Sequence, residues 1–508
     1  MDNSITIYEK TKDISWNLGE PLLEILGDNW TIGDACEGVQ IFGGTGSGKT
    51  SGSGQTLAKT YIHNGFGGLV LTVKESDSLM WKDYCKTLGK SKNLMIVNQS
   101  REFQFNFMDY LVKNGYSTVN MTHIFLSALQ KHNAGDYWQV AMEQLIKNTI
   151  NILILGTGTV EIKDMYELIN DAPSDKDERN LIFGKKGALL PDNDQNQNIY
   201  FREVYVAAKN KIEQYKKELS VDPMRFDLDD AIAEFENLTA KYWHTEFPKM
   251  DCDPRSSIIS MFTSLADNLL RGEMRSILAC DPELSNYKPE DTFEKGKIIV
   301  LDLNIKRFRE TGKMAQLIFK TIFQMAVERN RENVENKDAM RPIFLWIDEA
   351  QFFLTKDDVL FQTTARSCKV CSVYLTQNYS NYLAFVGSNR EKDTVNSMLA
   401  VLQTKFLHCQ SDPFTNNDFV NILIGKDYKD RESSSSTIGG VVGTSNNSNI
   451  TKNSSKSLDH KILPWKFDQL AKGGKFNNYK VEAYVYQSGR TWTDSKNTFG
   501  LIEFDQKI

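Results

Sequence analysis

One short stretch, Gly43-Gly44-Thr45-Gly46-Ser47-Gly48-Lys49-Thr50, constrains this chain more than any other. It fits Gly-x4-Gly-Lys-Ser/Thr, a pattern that ordinary glycine usage yields by chance in about one chain in fifty of this length. Its surroundings argue against chance. Gly38-Val-Gln-Ile-Phe42 reads as a strand entering the glycines, and Thr50 to Tyr61 reads as a helix leaving them. Glycines let successive backbone N–H groups converge on phosphate oxygens, and a helix N-terminus adds a favourable dipole. Lys49 places positive charge at the β- and γ-phosphates, and Thr50 offers its hydroxyl to Mg²⁺. The nucleotide-binding set is Gly43, Gly44, Thr45, Gly46, Ser47, Gly48, Lys49, Thr50 and Ser51, and the expected ligands are ATP and Mg²⁺. The bland alternative is a glycine-rich turn.

The strand, glycine-rich loop and helix are followed by a second apolar run, Gly68-Leu-Val-Leu-Thr-Val73. That is a βαβ unit, and it implies a parallel sheet with helices on its faces. Similar runs return at Gly296–Asp302, Ile343–Asp348 and Cys371–Gln377. Each is nearly all apolar and ends in a polar residue, as central parallel strands do when both faces are buried. Ligands in such sheets sit beyond the carboxyl ends of the strands, so Asp302, Asp348 and Gln377 are expected beside the glycine loop.

From about 118 to 285 the periodicity is helical. In Asp136–Ile146 the residues Trp138, Ala141, Met142 and Leu145 recur at three- and four-residue steps behind the N-cap candidate Asp136. Further helices are expected near 200–218 and 228–243, with a polar loop over 171–198. The predicted fold is α/β: a P-loop NTPase core with a mainly parallel central sheet and an inserted all-α domain, which the resemblance described below makes a RecA-like core. The expected domains are 1–117 and 286–508 for the two parts of the core and 118–285 for the insertion. Residues 431–458, rich in Ser, Asn and Gly, read as a mobile surface loop. Strands are expected near 480–487 and 499–504.

At 508 residues the chain can build a large core, and its net charge of −6 gives no global support to nucleic-acid binding. Any DNA-facing surface has to be local. Residues 1–20 lack the basic and apolar regions of a secretion signal, and no run reaches the roughly 18–20 apolar residues of a membrane helix. Seven cysteines, an odd number, fit reduced thiols in a soluble cytoplasmic protein. Cys368 and Cys371 form a lone CxxC, read as core residues. No metal site is assigned to the cysteines or to the six histidines.

Asp348-Glu349, at the end of an apolar run, has the form of a Walker B element. Asp348 would hold the Mg²⁺ site directly or through water, and Glu349 would polarise the attacking water. The acidic neighbour favours hydrolysis of ATP over phosphoryl transfer by a nucleotide kinase. Gln377 ends the next strand, where its amide can report on the γ-phosphate or simply cap the strand. Arg366, eleven residues earlier, is either a surface ion-pair residue or a finger that reaches a neighbouring subunit's site.

Taken in order, these features resemble the coupling-protein ATPases of type IV secretion and conjugation, the TraD/TraG-like group within the HerA/FtsK class of hexameric RecA-like motors. The resemblance spans about 38–508. Besides the loop at 43–50 it rests on Leu69-Val-Leu-Thr-Val-Lys74-Glu75, on Phe105-Asn-Phe-Met-Asp109 and on Tyr137-Trp138 followed by Ala141. Gly296–Leu303, Walker B, Arg366, Gln377, Gln410-Ser-Asp-Pro and Gly473-Gly474 continue the series. In that group the helical insertion forms one end of a ring around DNA, and about 300 positions between Thr50 and Asp348 leave room for one. The resemblance supplies the roles of Arg366 as finger and Gln377 as motif glutamine. It departs at the start: the group usually begins with a transmembrane hairpin, whereas only about 37 polar-leaning residues precede the first strand here.

Three functions follow as expectations. The first is a hexameric ATP-driven DNA translocase serving conjugative transfer or mobilisation, cytoplasmic or docked at the inner membrane through a partner such as a relaxase or secretion-channel protein. The second is a protein-handling secretion motor. The third is a HerA-like ring that scaffolds an effector in phage defence.

Overall fold

The computed structural model describes residues 6–7, 16–129, 136–174, 176–183, 198–386, 389–419, 423–438 and 448–507. In chain order the described strands begin with β1 (Thr6–Ile7), β2 (Pro21–Ile25), β3 (Asp28–Thr31), β4 (Val39–Phe42), β5 (Gly67–Leu71), β6 (Leu94–Val97) and β7 (Ile298–Leu301). They continue with β8 (Ile343–Ile347), β9 (Val370–Thr376), β10 (Thr404–His408), β11 (Lys426–Ile438), β12 (Ser448–His460), β13 (Lys480–Gln487) and β14 (Phe499–Asp505). The chain folds as two compact units, one of residues 1–66 and 335–508, the other of 67–334.

In the first unit β10, β4, β9 and β8 lie side by side, all parallel, with Leu407 opposite Phe42 and Phe42 opposite Thr376. Every residue of these four strands is buried, which accounts for their near-continuous apolar runs. β13 and β14 extend the sheet beyond β10 as antiparallel strands, and their burial alternates residue by residue because only one face is covered. Lys405 lies within buried β10, and desolvation pushes its ammonium down to about 8. A smaller sheet, β1-β2-β3, precedes the core.

The segment read as a loop at 431–458 differs from expectation. β11 and β12 pair antiparallel from Lys426↔His460 to Ile438↔Ser448 as a ribbon of their own, with 439–447 outside the described residues. Composition argued only that this segment cannot bury an apolar core. Two strands need none to pair, because each satisfies the other's backbone groups.

In the second unit β7 lies between β5 and β6 with all three parallel. The elements described from Thr118 to Leu284 are all helical, among them Asp136–Thr157, Ile199–Val221 and Cys252–Leu270. Within this helical block Phe201 packs against Trp243 at 5.3 Å, and Phe183 against Tyr205 at 4.8 Å. The polar stretch 171–198 includes a short helix, Lys176–Phe183, whose Ile182 and Phe183 are buried; 184–197 lie outside the described residues.

Asn106 of the Phe-Asn-Phe-Met-Asp segment caps the helix Phe107–Lys113 by accepting from the Asp109 N–H at 3.0 Å, and its amide donates to the Cys280 carbonyl at 2.6 Å. That residue holds a chain crossing in place. Gln316, inside the long helix Ile305–Asn333, exchanges hydrogen bonds with the backbone of Thr72 at 2.8 and 3.0 Å, just past the end of β5. Among the described residues no helix is long and apolar enough to cross a membrane.

Candidate functional site

The glycine loop leaves β4 at Phe42 and is latched on both sides. Gly43 N–H donates to the carbonyls of Thr376 (3.3 Å) and Gln377 (3.2 Å) at the end of β9, and Gly44 N–H donates to Cys409 O (3.0 Å) past β10. Two glycines are required by geometry. Gly48 has φ +84°, and a Cβ there would lie 2.7 Å from both methyls of Val481, while one on Gly43 would lie 2.9 Å from His408 Cβ. Beyond Lys49 the chain does not enter an α-helix at once, as the periodicity suggested. Thr50–Gly54 forms a wide π turn, with Gly54 N–H bonded to Lys49 O at 2.9 Å, and the α-helix proper is Gln55–His63. Gly52 and Gly54 permit the wider turn: a Cβ on Gly54 would press on Lys49 O at 2.9 Å. Such turns recur at functional sites.

Asp348 and Glu349 follow β8, both buried. Glu349 adopts φ 49°, ψ 54°, a left-handed conformation unusual for a residue with a side chain. Its N–H donates to Asp348 Oδ1 at 2.9 Å. Its carboxylate is held from several directions. Gln351 Nε2 donates to Oε2 at 2.9 Å, and Gln351 Oε1 in turn accepts from the Thr376 hydroxyl at 2.8 Å. Oε1 lies 4.0 Å from Lys49 Nζ and 3.4 Å from Gln377 Nε2, while Thr45 Oγ1 is 3.4 Å from Gln377 Oε1. Lys49, Glu349, Gln377 and Thr45 therefore stand together around one space at the carboxyl edge of the parallel strands.

A second layer supports the loop from the β10 side. His408 is fully buried, and desolvation lowers its ring to about 3, with the nearby Lys49 charge acting in the same direction. The ring is therefore neutral. Facing the Glu482 carbonyl at 3.2 Å, Nδ1 carries the proton, which leaves Nε2 to accept from the Ser53 hydroxyl at 2.7 Å. His408 thus ties the turn after Lys49 to β13. Gln410, two residues on, packs against Gly44 and accepts through its backbone from Asn416 Nδ2 at 3.1 Å. Both side-chain amide atoms of Gln410, together with Ser47 Oγ and Asn416 Oδ1, are buried with no hydrogen-bond partner among the described residues.

His408 and Gln351 were not singled out by sequence, and Gln410 entered only as the first residue of Gln410-Ser-Asp-Pro, with no role attached. Gln410 carried a usable signal, since it follows the end of an apolar strand much as Gln377 does.

Arg366, in the same unit, falls elsewhere. Arg366 caps the helix Lys356–Ala365 ahead of β9 and pairs with Glu37 at 3.3 Å, its side chain more than half exposed. It lies before the start of a seven-residue strand whose far end leads to Gln377, about 20 Å away. Within one chain, then, the fold does not bring Arg366 to the glycine loop. Asp302 follows β7 within the second unit; burial raises its carboxyl and a hydrogen bond from Ser78 opposes that. Cys371 sits inside β9 with its sulfur 3.6 Å from that of Cys36. Cys368 is buried just before the strand.

Thr50 and Asp348 offer a hydroxyl and a carboxylate, hard oxygen donors of the kind Mg²⁺ takes. Among the described residues no cluster of three or more His, Cys, Asp or Glu forms a cage.

No protein-family model matches the sequence, and no curated protein matches it either. Solved structures do. The unbound monoclinic form of the bacterial conjugative coupling protein TrwBdeltaN70 aligns over 98% of this chain and 90% of its own, at 12% identity and a TM-score of 0.57. The plasmid coupling protein TrwB in complex with ADP and Mg²⁺ aligns over 99% and 91%, at 13% identity and a TM-score of 0.59. The same protein with a non-hydrolysable ATP analogue gives the same figures. At such identity the likeness is one of fold. This chain has the α/β fold of those coupling proteins.

Proposed function

We propose that this chain is an Mg²⁺-dependent ATPase that works as a hexameric DNA translocase, in the manner its resemblance to conjugative coupling proteins implies. The observation that carries the proposal is the convergence of Lys49, Glu349, Gln377 and Thr45 around the glycine loop. That convergence occurs in a chain whose fold matches nucleotide-bound coupling-protein structures.

In this reading the backbone N–H groups of 43–50 bind the phosphates, and Lys49 neutralises charge at the β- and γ-positions. Ser51 completes the nucleotide-binding set. Thr50 and Asp348 hold Mg²⁺, which when bound neutralises phosphate charge. Glu349, fixed by Gln351, accepts a proton from the attacking water, and Gln377 senses the γ-phosphate. Arg366 acts across a subunit boundary, on the next copy's site. Residues 118–285 form an inserted all-α domain between core segments 1–117 and 286–508. DNA is the cargo, and relaxase or channel proteins are the expected partners, with the cytoplasm as the place of work.

The test is ATP turnover with and without single- and double-stranded DNA over a range of salt. DNA is expected to stimulate turnover, with stimulation falling steeply as salt rises. Turnover indifferent to every DNA would remove the translocase, leaving a protein-handling motor or an effector scaffold.

A further inference from the structure

Beyond the phosphates, a nucleotide presents its base, which needs a surface of its own. The two flanks of the glycine loop differ in kind. Glu349 and Gln377 occupy the side of β8 and β9. On the other side β13 runs antiparallel to β10, so its first residues lie at the edge where β4 gives way to the loop, with Ala483 opposite His408 and Leu407 opposite Phe42. The segment 472–479, which leads into β13, therefore emerges beside the loop on the flank away from Glu349.

That segment is fixed to the residue directly after the phosphate-binding motif. Gln506 Nε2 donates to Ser51 Oγ at 2.6 Å, and Gln506 Oε1 accepts from the Gly474 N–H at 2.8 Å. A Cβ on Gly48 would lie 3.3 Å from Lys472 O, so the segment also touches the loop itself. Gly473, Gly474, Asn478 and Tyr479 all have positive φ, and the Tyr479 N–H closes the turn onto Gly474 O at 2.7 Å. Two of the four carry side chains and so hold backbone strain. At the tip of this tight turn Phe476 is fully exposed, at 103% of its reference area. A phenyl ring so displayed forgoes the stabilisation of burial, and the strained turn keeps it displayed.

We infer that Phe476 is a stacking platform for the base of the nucleotide bound at 43–50. The inference rests on the ATPase reading. A triphosphate whose γ end faces Glu349 and Gln377 has its α end near Thr50 and Ser51, and its base then extends toward the flank that Ser51, Gln506 and the 472–479 turn share. The contact uses the π-face, which every base offers, so the platform accepts adenine and guanine alike.

The experiment measures binding of ATP and of inorganic tripolyphosphate, each with Mg²⁺, to the full chain by calorimetry. Phe476→Ala is expected to weaken ATP about tenfold, Phe476→Trp to retain it, and tripolyphosphate to bind all three proteins equally. Unchanged ATP affinity in Phe476→Ala overturns the inference, as does an equal loss of both ligands. A change confined to oligomeric state, read by sedimentation, also overturns it and makes Phe476 a contact between copies. Wild-type protein that binds neither ligand would remove the ATPase reading itself, and this inference with it.

Discussion

The β9 flank of the glycine loop and its β10 flank solve opposite problems. On the first, Thr376, Gln351, Glu349, Gln377 and Thr45 form a connected series in which each polar group has a neighbour to hold it. On the second, Ser47 Oγ, both amide atoms of Gln410 and Asn416 Oδ1 are buried without partners among the described residues. An orphaned buried polar group costs about 1–3 kcal/mol. The difference teaches where order has been placed: the carboxylate proposed to act on water is preorganised, and the opposite wall carries the unsatisfied groups.

The largest effect that would break this picture is at the hinge between the flanks. Gly48→Ala puts a methyl into a left-handed position and against Val481, and is expected to lower stability by about 3 kcal/mol in denaturant unfolding. Val481→Ala in the same chain should recover part of that loss. Full additivity of the two losses would show that the contact does not matter.

His408 comes next. Its folded-state pKa of about 3 lies below the unfolded value near 6.5. As pH falls from about 6.5 the unfolded chain takes up a proton that the folded chain refuses. The ring's stabilising contribution is thus complete above that pH and is lost progressively toward pH 3. Between pH 7 and 5, above most carboxylate titrations, His408→Gln should flatten the fall in stability measured by thermal unfolding. A slope unchanged by the substitution would place the titrating group elsewhere.

Gln410→Met removes two orphaned atoms at similar volume, and an increase in stability of about 1 kcal/mol is expected. A decrease would mean that the amide is paired, and the contrast between the flanks would weaken. The smallest effect on stability belongs to Arg366→Ala, under about 1 kcal/mol, because the Arg366 side of its pair with Glu37 is well exposed. Its turnover should nevertheless fall with ATP binding kept, since one chain's fold holds it far from its own loop. Wild-type turnover would end the proposal of a shared site.

Much of this was legible in the sequence because the same physics writes both. Strands buried on two faces must be apolar throughout, so β4, β8 and β9 showed themselves, and the polar residues that end them marked the edge where Asp348, Glu349 and Gln377 stand. The strands expected near 480–487 and 499–504 are β13 and β14, whose burial alternates because one face is open. The π turn at Thr50–Gly54 was not, because a wide turn and an α-turn use the same residues and differ in one hydrogen-bond register. The β11–β12 ribbon escaped because composition reports on burial, whereas the ribbon is held by backbone pairing. Gln351 and His408 act through neighbours distant in sequence, Thr376 and Glu482, and periodicity cannot register such contacts.

The central claim is that residues 43–50, Glu349 and Gln377 make one hydrolytic site. Glu349→Gln keeps the side chain's shape and removes its basicity, so paired measurements of ATP binding and turnover in this variant test the claim most directly. The account predicts ATP affinity close to wild type with turnover lower by about a hundredfold or more. Turnover equal to wild type would contradict it.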